Sequence, residues 1–120
     1  MDILEKIAPG ARVHVWSDMF DPAHNAVERY YLVRGSWDGL PPSVVIINWI
    51  SGHADESLPF FAGRGHKQVL AGYYDGDPLR IGLWLAEARK VQGVIGVMYT
   101  TWKHDYSKLE EFAKAVSATE

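Results

Sequence analysis

Val44-Val45-Ile46-Ile47-Asn48-Trp49 is a nearly continuous apolar, β-branched run, with no alternation of polar and apolar positions. A strand wetted on one face alternates, whereas a strand buried on both faces of a parallel sheet does not. Three further runs read the same way, Val13 to Trp16, Val69 to Tyr74 and Val94 to Tyr99. Together they predict strands near residues 12–17, 44–49, 68–74 and 94–100. The runs begin 31, 25 and 25 residues apart, an interval that accommodates a strand, a crossover helix and two loops. Right-handed crossovers then make the sheet parallel.

Helix-start chemistry fills the intervals. Asp21-Pro22 and Asp77-Pro78 each set a capping acceptor before a proline at the first helical position, where the missing N–H costs nothing. Asp105 is positioned to cap a last helix over residues 105–117, with Ser107 and Glu110 offering an overlapping capping box. Between Leu79 and Val91, Leu79, Leu83, Leu85, Ala86 and Ala88 form an apolar stripe, and Leu109, Phe112, Ala113 and Val116 form another in the last helix. A short helix over 2–7 opens the chain, stopped by Pro9-Gly10. Four strand-plus-helix units in 120 residues predict an α/β fold, one domain over 1–120. They match half of a (β/α)8 TIM barrel, since a whole one takes about 250 residues. A complete open sheet of flavodoxin type is the other arrangement these units allow.

Composition narrows the function classes. The chain is 48% hydrophobic with no cysteine, so a core is available at this length and disulfides and thiolate metal sites are excluded. A formal charge of -3 supplies no field for nucleic acid or an anionic membrane. No apolar run approaches ~18 residues. Met1-Asp2-Ile3-Leu4-Glu5 is acidic where a signal peptide is basic, so a cytoplasmic location is the default expectation.

Five Trp and six Tyr are many for so short a chain. Ligands of parallel α/β folds meet the carboxyl ends of the strands. Those ends read Trp16-Ser17-Asp18, Asn48-Trp49, Tyr73-Tyr74-Asp75 and Thr100-Thr101-Trp102. Aromatic faces stack on the C–H face of a pyranose, and Asp and Asn side chains bond its hydroxyls, so a sugar or glycoside ligand is expected. Glycine-rich phosphate motifs and a nucleophile elbow are absent from the sequence. Asp18 and Asp21 are spaced as a carboxylate pair, but Asp21 already serves as a cap, which leaves Asp18 as the catalytic candidate. His14, Asp18 and His24 lack tight metal-ligand spacing, so no metal and no cofactor are expected. His53, His66 and His104 are expected in solvated positions, Gly63 and Gly65 at a helix end, and Gly72 at a close approach within a strand.

The runs Val13 to Pro22, Val45 to Trp49, Leu70 to Asp75 and Gly96 to Trp102 resemble, in this order, the last four barrel strands of glycoside hydrolase family 20, the β-N-acetylhexosaminidase type. The resemblance covers nearly the whole chain. It implies a C-terminal half-barrel that supplies the sugar-binding wall: Trp16, Trp49 and Trp102 as walls, Asp18 beside them, and Tyr73 and Asp75 as a Tyr-x-Asp pair holding an acetamido group and a hydroxyl. The family's Asp-Glu catalytic pair ends its fourth barrel strand, ahead of the four strands found here, so an isolated chain is not expected to hydrolyse efficiently. The family often has an acidic residue two positions after its last-strand Trp, where this chain has His104. Open half-barrel edges imply a partner, either a second copy or a separate N-terminal half.

Overall fold

The computed structural model describes residues 2–27 and 33–118. Helix α1 (Asp2–Ile7) leads through the left-handed Gly10 into β1 (His14–Trp16). There follow β2 (Val45–Asn48), α2 (Ala54–Gly63), β3 (Gln68–Tyr73), α3 (Ile81–Ala88), β4 (Val94–Thr100) and α4 (Leu109–Ser117). Short 3-10 turns cover Asp18–Phe20, Ser36–Gly39, Ser51–His53 and Pro78–Arg80.

The four strands are all parallel and lie in the order β1-β2-β3-β4. Sequential order with crossovers of one hand puts the crossover helices α2 and α3 on the same face. The core agrees: Leu70 packs with Leu58 of α2, Ile81 and Trp84 of α3, and Phe112 of α4, while Ile46 packs with Phe61 of α2. Leu70 and Ile46 lie on one face by register and alternation. In the flavodoxin arrangement the second strand lies outside the first and helices cover both faces, so that alternative is not the one formed. The sheet is open and has the make-up of half a barrel, with α2, α3 and α4 on one face and, among the described residues, β1 and β4 each paired along one edge only.

Local chemistry explains most boundaries. Asp77 accepts from the Leu79 N–H at 2.9 Å, with Pro78 in the first helical position, as the sequence predicts. Helix α2 ends as Gly63 and Gly65 suggest: Gly65 takes φ +83°, and its N–H and that of His66 return to the Ala62 and Phe61 carbonyls. A Cβ on Gly72 would meet Phe112 Cε2 at 2.7 Å, which is the close approach expected there.

Three expectations are corrected. Asp21 starts no helix within 21–27: its buried carboxylate takes the Ala23 N–H at 2.8 Å and the Ser57 hydroxyl, and the expected helix would continue into 28–32, outside the described residues. The buried stripe of α3 is Ile81, Trp84 and Ala88, while Leu79 and Leu83 are exposed, because Leu79 sits in a 3-10 turn with a different angular phase. Helix α4 begins at Leu109, since His104 takes φ +56° and Asp105 caps a turn at Ser107; Phe112 is buried, but Leu109 and Ala113 are exposed.

Candidate functional site at the carboxyl end of the sheet

Trp16, Asp18, Trp49 and Trp102 line one cleft of about 270 Å³. Trp16 ends β1 and lies in register with Ile47, away from the helices. Asp18 opens the 3-10 turn that follows, Trp49 directly follows β2, and Trp102 lies two residues past β4. Trp16 and Trp102 are 42% and 67% exposed, so both present ring faces to solvent rather than filling the core.

An aromatic row runs across the rim behind this cleft. The His24 ring meets Trp49 edge-on at 4.8 Å, Trp49 stacks on Tyr74 at 4.9 Å and 23°, and Tyr74 meets Trp102 edge-on at 6.1 Å. Tyr74 reaches this place through an unusual backbone. Tyr73, Tyr74 and Asp75 hold φ of 73°, 52° and 59°, three successive non-glycine residues in the left-handed region. Each such residue costs on the order of 1 kcal/mol and persists only where its surroundings hold it.

Those surroundings are visible. The Asp75 carboxylate accepts from the Thr101 hydroxyl and from the N–H groups of Trp102 at 2.7 Å and Lys103 at 3.2 Å, fastening the β3 end to the loop that carries Trp102. Tyr74 donates its N–H to the Thr100 carbonyl at 2.8 Å. The Tyr73 ring stacks on Tyr99 at 4.6 Å, and its hydroxyl donates to Asp105 at 3.0 Å. Burial works against the charge on Asp75, but the Thr101, Trp102 and Lys103 donors outweigh it and hold the carboxyl below the usual range. Burial, aided by Asp105 and Tyr99, pushes the Tyr73 phenol well up. Asp105 is held low by its bonds to Ser107 and Tyr73.

Electrostatically the cleft is simple. Among the described residues Asp18 is the one carboxylate in its wall. His24 has a buried Nδ1 with no hydrogen-bond partner, and burial lowers its pKa against the opposing pull of Asp18 and Asp21. Its ring meets Trp49 edge-on and supports it. Among the described residues, no three His, Asp or Glu side chains are grouped to hold a metal ion, and no helix is long and apolar enough to cross a membrane.

The structure thus brings together Trp16, Asp18, Trp49 and Trp102. Tyr73 and Asp75 lie behind them as the clamp, Tyr73 lining a neighbouring cavity of about 230 Å³ with Tyr74 and Arg80. Asn48, read as a hydroxyl ligand, instead faces the helices, 2% exposed, donating to Gln68 at 2.7 Å; Gln68 in turn donates to the Leu58 carbonyl at 2.9 Å. His66 is buried rather than solvated, its Nδ1 2.9 Å from the Val44 carbonyl. His53 and His104 are exposed as expected, and His14 is exposed 3.2 Å from the Arg12 carbonyl. From sequence Tyr74 stands out only as part of the strand-end aromatic set, and His24 only as a metal-ligand candidate with His14 and Asp18; the place of His24 against Trp49 has no local signal.

No protein-family model, no curated protein and no solved structure matches this chain.

Proposed function

We propose that this chain supplies the sugar-binding wall of a glycoside-hydrolase-like barrel and takes one terminal pyranose, an amino sugar, in the cleft between Trp16, Trp49 and Trp102. The observation that carries this reading is the convergence of three tryptophans and one carboxylate, from the ends of β1, β2 and β4, on a single cleft. At about 270 Å³ it lies at the small end of ligand sites, suited to one ring rather than an extended chain. Indole faces offer flat apolar surface to the C–H face of a sugar, and Asp18 accepts from two adjacent hydroxyls. The order of the four strand-end motifs, with its resemblance to glycoside hydrolase family 20, supports an N-acetylated hexosamine as the ligand.

In this proposal the chain binds and does not cleave. Ordinary glycosidic cleavage needs two carboxyl groups about 5–9.5 Å apart across the bond, and among the described residues Asp18 is the one that lines this cleft. None of the four strands ends in an Asp-Glu pair.

The chain's five tryptophans make the test direct. In a 15N-labelled sample titrated with N-acetylglucosamine, the indole N–H signals of Trp16, Trp49 and Trp102 should move together. Those of Trp84, in the core, and Trp37, packed edge-on against Phe60, should stay still. Five unmoved signals at high sugar concentration would sink the proposal. Turnover of an aryl N-acetylglucosaminide that vanishes in Asp18→Asn would overturn its non-catalytic part.

A further inference from the structure

Among the described residues, the face of the sheet opposite α2, α3 and α4, which is the concave side of a half-barrel, carries none of these helices. By register, His14, Trp16, Val45, Ile47, Val69, Ala71, Met98 and Thr100 face away from the helix-packed positions. On this face Val45 and Ala71 are fully buried, but Ile47, Val69 and Met98 are only half-buried, whereas Ile46 and Leu70 on the other face are fully buried. In a closed barrel this face is a packed interior.

Among the described residues both sheet edges are unpaired, and they complement each other. In β1, Val45 donates to the Val13 carbonyl and Ser17 to the Ile47 carbonyl, so the odd-numbered residues serve β2 and the N–H and C=O groups of His14 and Trp16 point outward. In β4, register with β3 commits Met98 and Thr100 inward, leaving those of Val97 and Tyr99 outward. The two edges therefore present donors and acceptors at the same two-residue spacing on strands of the same direction.

The surface area indicates how much is left uncovered. The chain exposes 7566 Å², against about 6,500 Å² for a compact monomer of 13.5 kDa. The excess is about 1,000 Å², comparable to the ~800 Å² that each partner buries in a stable pair. The radius of gyration, 15.0 Å, likewise exceeds the roughly 13.6 Å of a compact chain of this length.

We propose that two copies of this chain close one eight-stranded parallel barrel, β4 of each pairing with β1 of the other about a two-fold axis along the barrel. A rotation about an axis parallel to the strands keeps all eight parallel and makes two identical seams, which is the closed symmetry a dimer needs. Both concave faces become a shared interior, and the tryptophan clefts of the two copies share one mouth. Closure depends on the edges and the concave face alone, so it stands or falls separately from sugar binding.

Size-exclusion chromatography with light scattering is expected to give twice the chain mass. His14→Pro removes an outward N–H on an edge strand, where proline is tolerated in the monomer. One hydrogen bond is lost at each seam, which should weaken the dimer roughly thirtyfold with an unchanged circular dichroism spectrum. Met98→Asp places a carboxylate from each copy inside the closed barrel and should give a folded monomer even if the proline variant does not fold. Leu83→Asp, on the exposed side of α3, should leave the dimer intact. A native chain that stays monomeric over a hundredfold concentration range overturns the proposal. So does a folded Met98→Asp variant that remains fully dimeric, or a dimer broken by Leu83→Asp, which would place the contact on the helices.

Discussion

Trp102→Ala and Trp84→Ala should part company in both stability and binding. Trp84 is 3% exposed and sits among Leu70, Ile81 and Phe112, so its truncation opens a core cavity and should cost about 3–5 kcal/mol. Trp102 keeps only a third of its side chain from water. That is roughly 80 Å² of a large aromatic, worth at most about 2 kcal/mol at ~25 cal/mol per Å². Its backbone N–H bond to Asp75 survives truncation. With an unfolding entropy near 2.1 cal/mol/K per residue, 1 kcal/mol moves the melting temperature of this chain by about 4 °C. The expected losses are therefore roughly 12–20 °C for Trp84→Ala and less than about 8 °C for Trp102→Ala, read by thermal melts. In the sugar titration Trp102→Ala removes one ring from the cleft. A face covering about 55 Å² of ligand supplies about 1.4 kcal/mol, or tenfold in Kd. The Trp16 and Trp49 signals should then saturate at about tenfold higher sugar. A Trp102→Ala variant that melts as early as Trp84→Ala would place Trp102 in the core and remove it from the wall of the site.

Gly72→Ala drives a methyl into Phe112 and Ile81 and should destabilise by about 1–3 kcal/mol through overpacking; trimming the ring in Gly72→Ala/Phe112→Leu should recover part of this, and additive losses in a double-mutant cycle would refute the contact. Asp75→Asn weakens the clamp under the left-handed run, so the Trp49 and Tyr74 rings should lose their stacked geometry, seen as loss of ring-current shifts, while the far strand β1 is undisturbed. Because Asp75 and Asp105 titrate lower in the folded chain, their contribution is present above the unfolded value of about 3.9 and disappears as pH falls through the folded value; Asp75→Asn should flatten that acid limb in denaturant melts. The Tyr73 phenol is raised, so its contribution is complete below about pH 10 and is lost as pH climbs toward the folded value; a wild-type alkaline limb identical to that of Tyr73→Phe would contradict this.

What the sequence determined by itself is the part governed by near neighbours. Continuous β-branched runs specify strands wherever they fold, and their spacing leaves room for helices, so the parallel half-barrel is legible in Val44 to Trp49 and its three counterparts. Asp77-Pro78 and Gly65 announce their turns because capping acts within a few residues. The tryptophans of the cleft were visible because each falls at a strand end, where any parallel α/β fold gathers its ligand groups. Only the tertiary structure decided the rest. Asp21 looks like a cap until Ser57, 36 residues away, reaches its carboxylate. Asn48 looks like a ligand until register turns it toward Gln68 and the helices. The left-handed run at Tyr73 to Asp75 has no glycine to signal it; it exists because Thr101, Trp102 and Lys103 close on Asp75 from the neighbouring strand. That contact spans more than 25 residues of chain, so it forms only once β3 and β4 have paired, and with it comes the placement of Tyr74 between Trp49 and Trp102.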